Sequence, residues 1–336
     1  MAALASTHPT LLDVQKRMDE HGNIAPIIEI LNQTNDMLDD MVWVECNNGT
    51  AHKTTMRSGI PEPTFRKLYG GVQPSKSRTV QIMDNCGMLE NYAEIDAALA
   101  QLNGNTAAWR LSEDMPIIEG FNQKLSRYTF FGNEATEPEG FTGLAPRFNT
   151  ITGVENKDNV IIDAAGSGYT SVWLVVWGPN TVHMLYPQGS QAGLYQEDKG
   201  QVTIENLNGD GGRMEAYRTH YRWDCGMAVR DWRYIVRMQF ATSLLKSDAS
   251  SGAKILDVLA QSLDLVPNIN AGRAAFYGNR TMRGFLRRQI ANRTTNSTLT
   301  VEQITRPNGM MVHMPMFDGV PFRRCDALTN TETVIS

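Results

Sequence analysis

Residues 41–95 constrain this chain more than any other stretch, because they have the pattern of a long hairpin but few apolar residues to hold it. Val42, Val44 and Cys46 alternate with Trp43 and Glu45, and Thr79-Val80-Gln81-Ile82 alternates again; a period of two marks strands. Between these runs lies a polar stretch broken by Gly59, Pro61, Pro63, Gly70, Gly71 and Pro74, residues that punctuate regular structure. From Cys46 to Met83 the cations Lys53, Arg57, Arg66, Lys67, Lys76 and Arg78 stand against Glu62 alone. An extended basic ribbon with so little filling finds no support in its own chain. It is expected to lie over a neighbouring subunit.

The first forty residues carry the opposite charge. Asp13, Asp19, Glu20, Glu29, Asp36, Asp39 and Asp40 outnumber Lys16 and Arg17. Thr10 with Asp13 and Asn23 with Pro26 predict two short helices. Their apolar faces have little local core to cover, so this arm is expected to pack elsewhere. Further on, Asp114 as a cap and Pro116 in the first turn predict a helix from Asp114 to Phe131, with Ile117, Ile118, Phe121, Leu125 and Tyr128 on one face and Gly132 as the stop.

Residues 160–240 read as sheet. Val172 to Trp177 is apolar on both faces and therefore a central strand; Gly178-Pro179-Asn180 turns it into a strand from Val182 to Tyr186. Two runs, Tyr217 to Asp224 and Asp231 to Phe240, alternate between apolar and polar residues, the pattern of half-exposed antiparallel strands. The last third predicts a helix around Ile255 to Leu263, a strand from Arg273 to Tyr277 and a helix from Met282 to Ile290. A closing hairpin follows, turned by Asp318-Gly319 and ending in Arg323 and Arg324. Between Asp264 and Glu302 there are six arginines, including Arg283, Arg287 and Arg288, and no acid. That segment has three readings: pairing with an acidic surface of another subunit, plain solvation, or contact with DNA. Pairing needs the fewest assumptions.

With 336 residues the chain can form two or three structural units. Its net charge of −5 argues against a dedicated nucleic-acid binder. Cys46, Cys86, Cys225 and Cys325 form no C-x-x-C pair, so neither a thiolate zinc site nor a redox motif is spelled out, and reduced thiols are expected. The N-terminus lacks the features of a signal peptide, so the chain is expected to stay in the cytoplasm of the cell that makes it. The uncharged stretch from Ala164 to Gln196 is interrupted by glycine and proline well short of a bilayer span, so it is sheet rather than membrane.

Chemical motifs fail on inspection. Asp163 to Ser171 lacks the Gly-Lys-[Ser/Thr] ending of a phosphate loop and leads into a strand. Asn206 to Asp210 imitates a calcium loop, but its twelfth position is Tyr217 rather than glutamate. The six histidines show no metal-ligand spacing, and no nucleophile elbow occurs. The expectation is a chain with no catalytic residue, no metal and no cofactor. Three features ask for a partner: an acidic arm, a basic ribbon and an arginine-rich segment. Complementary patches on one subunit suit head-to-tail association into rings and shells.

Several long runs then carry a resemblance over nearly the whole chain. EILNQTNDMLDDM, GVQPSKSRTVQIMDNCGMLENYAEID, LSEDMPIIEGFNQKLSRYTFFGNEATEPEGFTGLAPRFN and GVPFRRCDAL resemble major capsid proteins of short-tailed phages of the epsilon-fifteen and Bordetella-phage type. The resemblance implies an α+β Hong Kong 97-type capsid fold with permuted strand connectivity. Its parts would be an N-terminal arm at 1–40, an extended E-loop at 41–95, a P-domain at 96–241 with a spine helix near 114–131, and an A-domain at 242–336.

It further implies a subunit of hexamers and pentamers in an icosahedral head around double-stranded DNA, located in the virion and assembled in the bacterial host cytoplasm. Expected partners are further copies of the chain, a separate scaffolding protein, a portal, a decoration protein and nonspecific contact with packaged DNA; no membrane is involved. Lys53, Arg57, Arg66, Lys67, Lys76, Arg78, Asp36, Asp39, Asp40, Arg283, Arg287, Arg288, Arg323 and Arg324 are the candidate interface residues. Nothing singles out a lysine for self-crosslinking. The alternatives are an encapsulin-like cellular shell and, more remotely, a hydrolase within the 160–240 sheet.

Overall fold

The structure, a computed structural model, describes residues 33–102, 106–163, 166–205, 212–245, 255–291, 299–305 and 311–335. In chain order the elements are β1 (Trp43–Glu45), β2 (Ala51–Gly59), β3 (Arg78–Asp96), α1 (Ala97–Ala100), α2 (Thr106–Phe131), β4 (Val160–Asp163), β5 (Tyr169–Trp177), β6 (Val182–Tyr186), β7 (Tyr195–Glu205), β8 (Arg213–Val229) and β9 (Ile235–Ala241). The chain continues with α3 (Thr242–Leu245), α4 (Ile255–Leu265), β10 (Arg273–Gly278), α5 (Arg280–Ala291), β11 (Leu299–Thr305), β12 (Met311–Phe317) and β13 (Val320–Arg324). The helices predicted in the N-terminal arm and the calcium-loop look-alike fall outside the described residues.

The chain divides into two compact units: residues 1–34, 88–125 and 191–224 form one, and residues 35–87, 126–190 and 225–336 the other. In the first, β7 and β8 make an antiparallel hairpin from Tyr195↔Arg222 to Glu205↔Arg213, with a bulge between Asp198 and Gly200. Gly200 has a φ of 69°, and its N–H donates to the Asp198 carboxylate. Trp109 of α2 packs with Ile95 and Ala100, and Phe121 packs with Ala93 and Tyr221. Arg110 pairs with Asp198 at 2.6 Å, and Arg218 with Glu94 at 2.6 Å.

Helix α2 begins at Thr106 rather than at Asp114. Ala107, Ala108, Arg110 and Leu111 are strong helix formers, and buried Trp109 anchors the added turns. Pro116 therefore lies inside the helix, where it removes one ladder hydrogen bond. A cap-like Asp two places before a proline imitates a helix start within a helix that is already under way.

In the second unit β5 is central and fully buried after Tyr169. It pairs antiparallel with β10 on one side and with β9 on the other. Beyond β10 come β13 in parallel, then β12 and β11 antiparallel. One face carries the core: Val172, Leu174 and Val176 meet Val236, Met238, Leu259, Phe276, Phe285 and Phe322. The Asp318-Gly319 turn forms as expected, with φ values of 49° and 76°.

The run from Asp231 to Phe240 departs from the half-exposed expectation. Trp232–Tyr234 is a 3-10 turn, and every residue of β9 is buried. The polar face of β9 is covered because Arg237 ion-pairs with Glu332 at 2.8 Å, donates to the Phe148 carbonyl and lies over the Trp173 ring. Gln239 donates to the Thr333 carbonyl. A polar alternating strand is thus internal here, since each polar side chain has a partner.

Candidate subunit interface

The β2–β3 ribbon runs in register from Ala51↔Asn85 to Arg57↔Thr79, then slips so that Gly59 opposes Arg78. Past that point the chain has no regular structure until β3 resumes, and Tyr69 adopts a φ of 63°. The loop leaves its apolar residues in solvent: Ile60 is 85% exposed, Phe65 107%, Leu68 86% and Tyr69 96%. Lys53, Arg57, Arg66, Lys67, Lys76 and Arg78 are exposed as well. Large apolar side chains grouped this way on a basic ribbon mark a surface built to be covered.

The base of the ribbon is polar and buried. His52 stands opposite Asp84 in the strand register, and Arg147 binds Asp84 at 2.7 Å. The His52 ring meets His183 edge-on, with centroids 5.5 Å apart. His183 is fully buried, and neither ring nitrogen makes a hydrogen bond of normal geometry with a described residue. Burial lowers its pKa to about 4; repulsion from His52 and Arg230 acts the same way, while the nearby Gly178 backbone works slightly against them. Burial also lowers His52, with Arg230 adding to the effect and Asp84 opposing it. Beside this cluster the thiols of Cys46 and Cys86 approach to 3.3 Å. Sequence spacing could not have found that pair, since 40 residues separate them.

Under the ribbon lies a groove of about 1030 Å³, lined by Met56, Ile60, Val80 and Ile82 on one side and by Val154 and Trp232 on the other. Arg57 and Arg230 also line it.

The remaining predicted residues divide. Asp40 and Arg323 meet each other within one chain at 2.6 Å, and Arg324 pairs with Asp326. Asp36 is buried, whereas Asp39 and Arg287 are exposed. Arg288 lies over the Phe285 ring and donates to the Leu245 carbonyl, and Arg283 is partly buried. Among the described residues no group of three or more His, Cys, Asp or Glu is placed to hold a metal ion, and no helix is long and apolar enough to cross a membrane.

Comparison with known proteins gives these features a context. The family model of the major capsid protein GP7 matches residues 19–336. A chain in the near-atomic cryo-EM structure of bacteriophage epsilon15 is 37% identical, covering 100% of this chain and 99% of its own, with a TM-score of 0.78. The bacteriophage JBD30 capsid is 9% identical, covering 89% of this chain and 92% of its own, with a TM-score of 0.49. A search of curated proteins found no match. The chain belongs to the major capsid protein GP7 family: it is the major capsid protein of a phage head, with the Hong Kong 97-type fold.

Proposed function

We propose that residues 41–95 act as the E-loop of this capsid protein and bind the surface of a neighbouring subunit within hexamers and pentamers. The observation that carries the reading is the exposure of Ile60, Phe65, Leu68 and Tyr69 together on a ribbon whose cations have no ion pair with a described residue. A partner that covers those side chains removes apolar surface from water, and many modest contacts per subunit sum through avidity. The arm at 1–40, the P-domain at 96–241 and the A-domain at 242–336 complete the division. In this reading the spine helix is α2 and starts at Thr106.

The same reading gives the protein a structural rather than catalytic role. Assembly takes place in the bacterial host cytoplasm around a separate scaffolding protein, with a portal at one vertex and a decoration protein outside, and DNA touches the inner surface without sequence readout. Arg57, Lys76, Asp39 and Arg287 are the candidates for contacts between subunits. The direct test replaces Phe65, Leu68 and Tyr69 together by serine. Electron microscopy should then show few or no shells while circular dichroism of the subunit stays unchanged. Normal shells from the triple variant would refute the E-loop role.

A further inference from the structure

We propose that Cys46 and Cys86 form a reversible disulfide that fastens the base of the ribbon when the protein leaves the reducing interior of the cell, with a small-molecule disulfide such as oxidised glutathione as the oxidant. The two sulfurs already lie 3.3 Å apart. A bond needs them at about 2.05 Å, a closure within the reach of small side-chain rotations. Both cysteines sit on anchored backbone. The Cys46 N–H donates to the Tyr186 carbonyl and the Cys86 N–H to the Thr50 carbonyl, each at 2.9 Å. Cys46 packs against Leu185 and Ala228. Gly226 lies so close that a Cβ there would come within 2.9 Å of the Cys86 sulfur.

The chemistry has an order. Cys46 is 3% exposed, whereas Cys86 is partly exposed, so the reagent meets Cys86 first. The Cys86 thiol gives up its proton, and its thiolate attacks oxidised glutathione, forming a mixed disulfide and releasing one glutathione thiolate. The Cys46 thiol then loses its proton and attacks the Cys86 sulfur, expelling the second glutathione thiolate. The two protons end on the two glutathione thiols, and one protein disulfide replaces one small-molecule disulfide. Burial pushes the Cys46 thiol up, against the opposing effect of its contact with Cys86, so the second step is slow at neutral pH. Cys325 is an internal control: it is fully buried and its pKa is raised to about 12, chiefly by burial.

Such a bond would close a loop containing the whole of β2 and the ribbon tip, restricting the unfolded chain more than the folded one. The competing reading is a simple S–H···S contact with no redox role. That the fastened element is the E-loop rests on the function proposed above; the linkage itself does not.

The test treats the full-length subunit and assembled particles with oxidised glutathione, blocks remaining thiols with iodoacetamide and maps the peptides by mass spectrometry. The expected result is a Cys46–Cys86 cross-linked peptide that dithiothreitol reverses, a thermal midpoint a few degrees higher, and no change at Cys325. Cys46→Ser should abolish the cross-link and leave glutathione on Cys86. Glutathione retained on Cys86 of the unsubstituted protein, with Cys46 still alkylated, overturns the proposal, as does alkylation of both. A cross-link without a shift in the midpoint overturns the fastening role. Because the linkage is read on the subunit as well as on particles, a chain that makes no shells tests the function and leaves this result standing.

Discussion

Asp40 and Arg323, 283 residues apart in the chain, meet at 2.6 Å, and the second oxygen of the same carboxylate accepts the Tyr277 hydroxyl at 2.9 Å. Trp177 in turn donates its indole N–H to the Tyr277 oxygen at 2.8 Å. Burial holds the Asp40 carboxyl above the usual carboxylate range even though Arg323 and Tyr277 pull it down. Two charges that look like surface contacts in the sequence are therefore joined inside the fold.

Arg323→Met tests the worth of that pair. Removing one partner of a buried ion pair costs about 3–5 kcal/mol. The Asp40 carboxyl is already raised and can take up a proton, so the loss should fall near the low end, at about 3 kcal/mol. Adding Asp40→Asn in the same chain should recover part of it. Urea unfolding of the subunit checks both, and an unchanged midpoint for the single variant contradicts the role given to Arg323.

Arg57→Glu combined with Lys76→Glu reverses two exposed charges on the ribbon. Exposed substitutions usually change stability by no more than about 0.5 kcal/mol, so the subunit should keep its melting temperature. Particle yield, counted by electron microscopy, should fall several-fold. Full yield would place the contacts elsewhere.

His183 predicts acid sensitivity. Its folded pKa is lowered from the ordinary 6.5 to about 4, so the unfolded chain binds more protons between those values. Its contribution is fully present above pH 6.5 and is lost as the pH falls toward 4, a total of about 3 kcal/mol at most. Unfolding free energy measured from pH 7 to 4 should decline less steeply in His183→Leu than in the parent. Parallel slopes in the two proteins would rule this out.

Gly143→Ala addresses a close approach of backbone. A Cβ at Gly143 would come within 2.4 Å of the Tyr128 carbonyl oxygen and 2.8 Å of that of Thr129. The adjoining hydrogen bonds from Gly143 to Gly132 and from Leu144 to Thr129 hold the segment against the end of α2. Overpacking against rigid backbone costs about 1–3 kcal/mol or more. Differential scanning calorimetry should show a lower midpoint, and a neutral result would mean that the segment shifts freely.

Much of this architecture was legible in advance where a local rule fixes it. The buried run from Val172 to Trp177, the Asp318-Gly319 turn and the helices near Ile255 and Met282 follow from periodicity and turn chemistry. The ribbon was legible only in part: its β3 strand follows from the alternation at Thr79 to Ile82, but the run from Val42 to Cys46 belongs with β6, β2 supplies the other strand, and the exposed Ile60, Phe65, Leu68 and Tyr69 escape a reading based on polar composition. What could not be read depends on tertiary partners. β9 looked half-exposed because nothing local says that Glu332 covers Arg237. The start of α2 at Thr106 is masked because Asp114 and Pro116 imitate a cap. The Cys46–Cys86 approach and the His52–His183 contact bring together strands that are not paired with each other, and neither residue type nor spacing encodes that.

The Arg237–Glu332 pair has a bearing on when this protein can fold. Arg237 is buried among Ser171, Phe148 and Trp173, and its counter-charge is supplied 95 residues later. While the ribosome has delivered residue 237 but not residue 332, the Arg237 cation would have to be buried without its counter-charge. Burying the polar face of β9 in its native form therefore requires a carboxylate that the chain supplies only at residue 332.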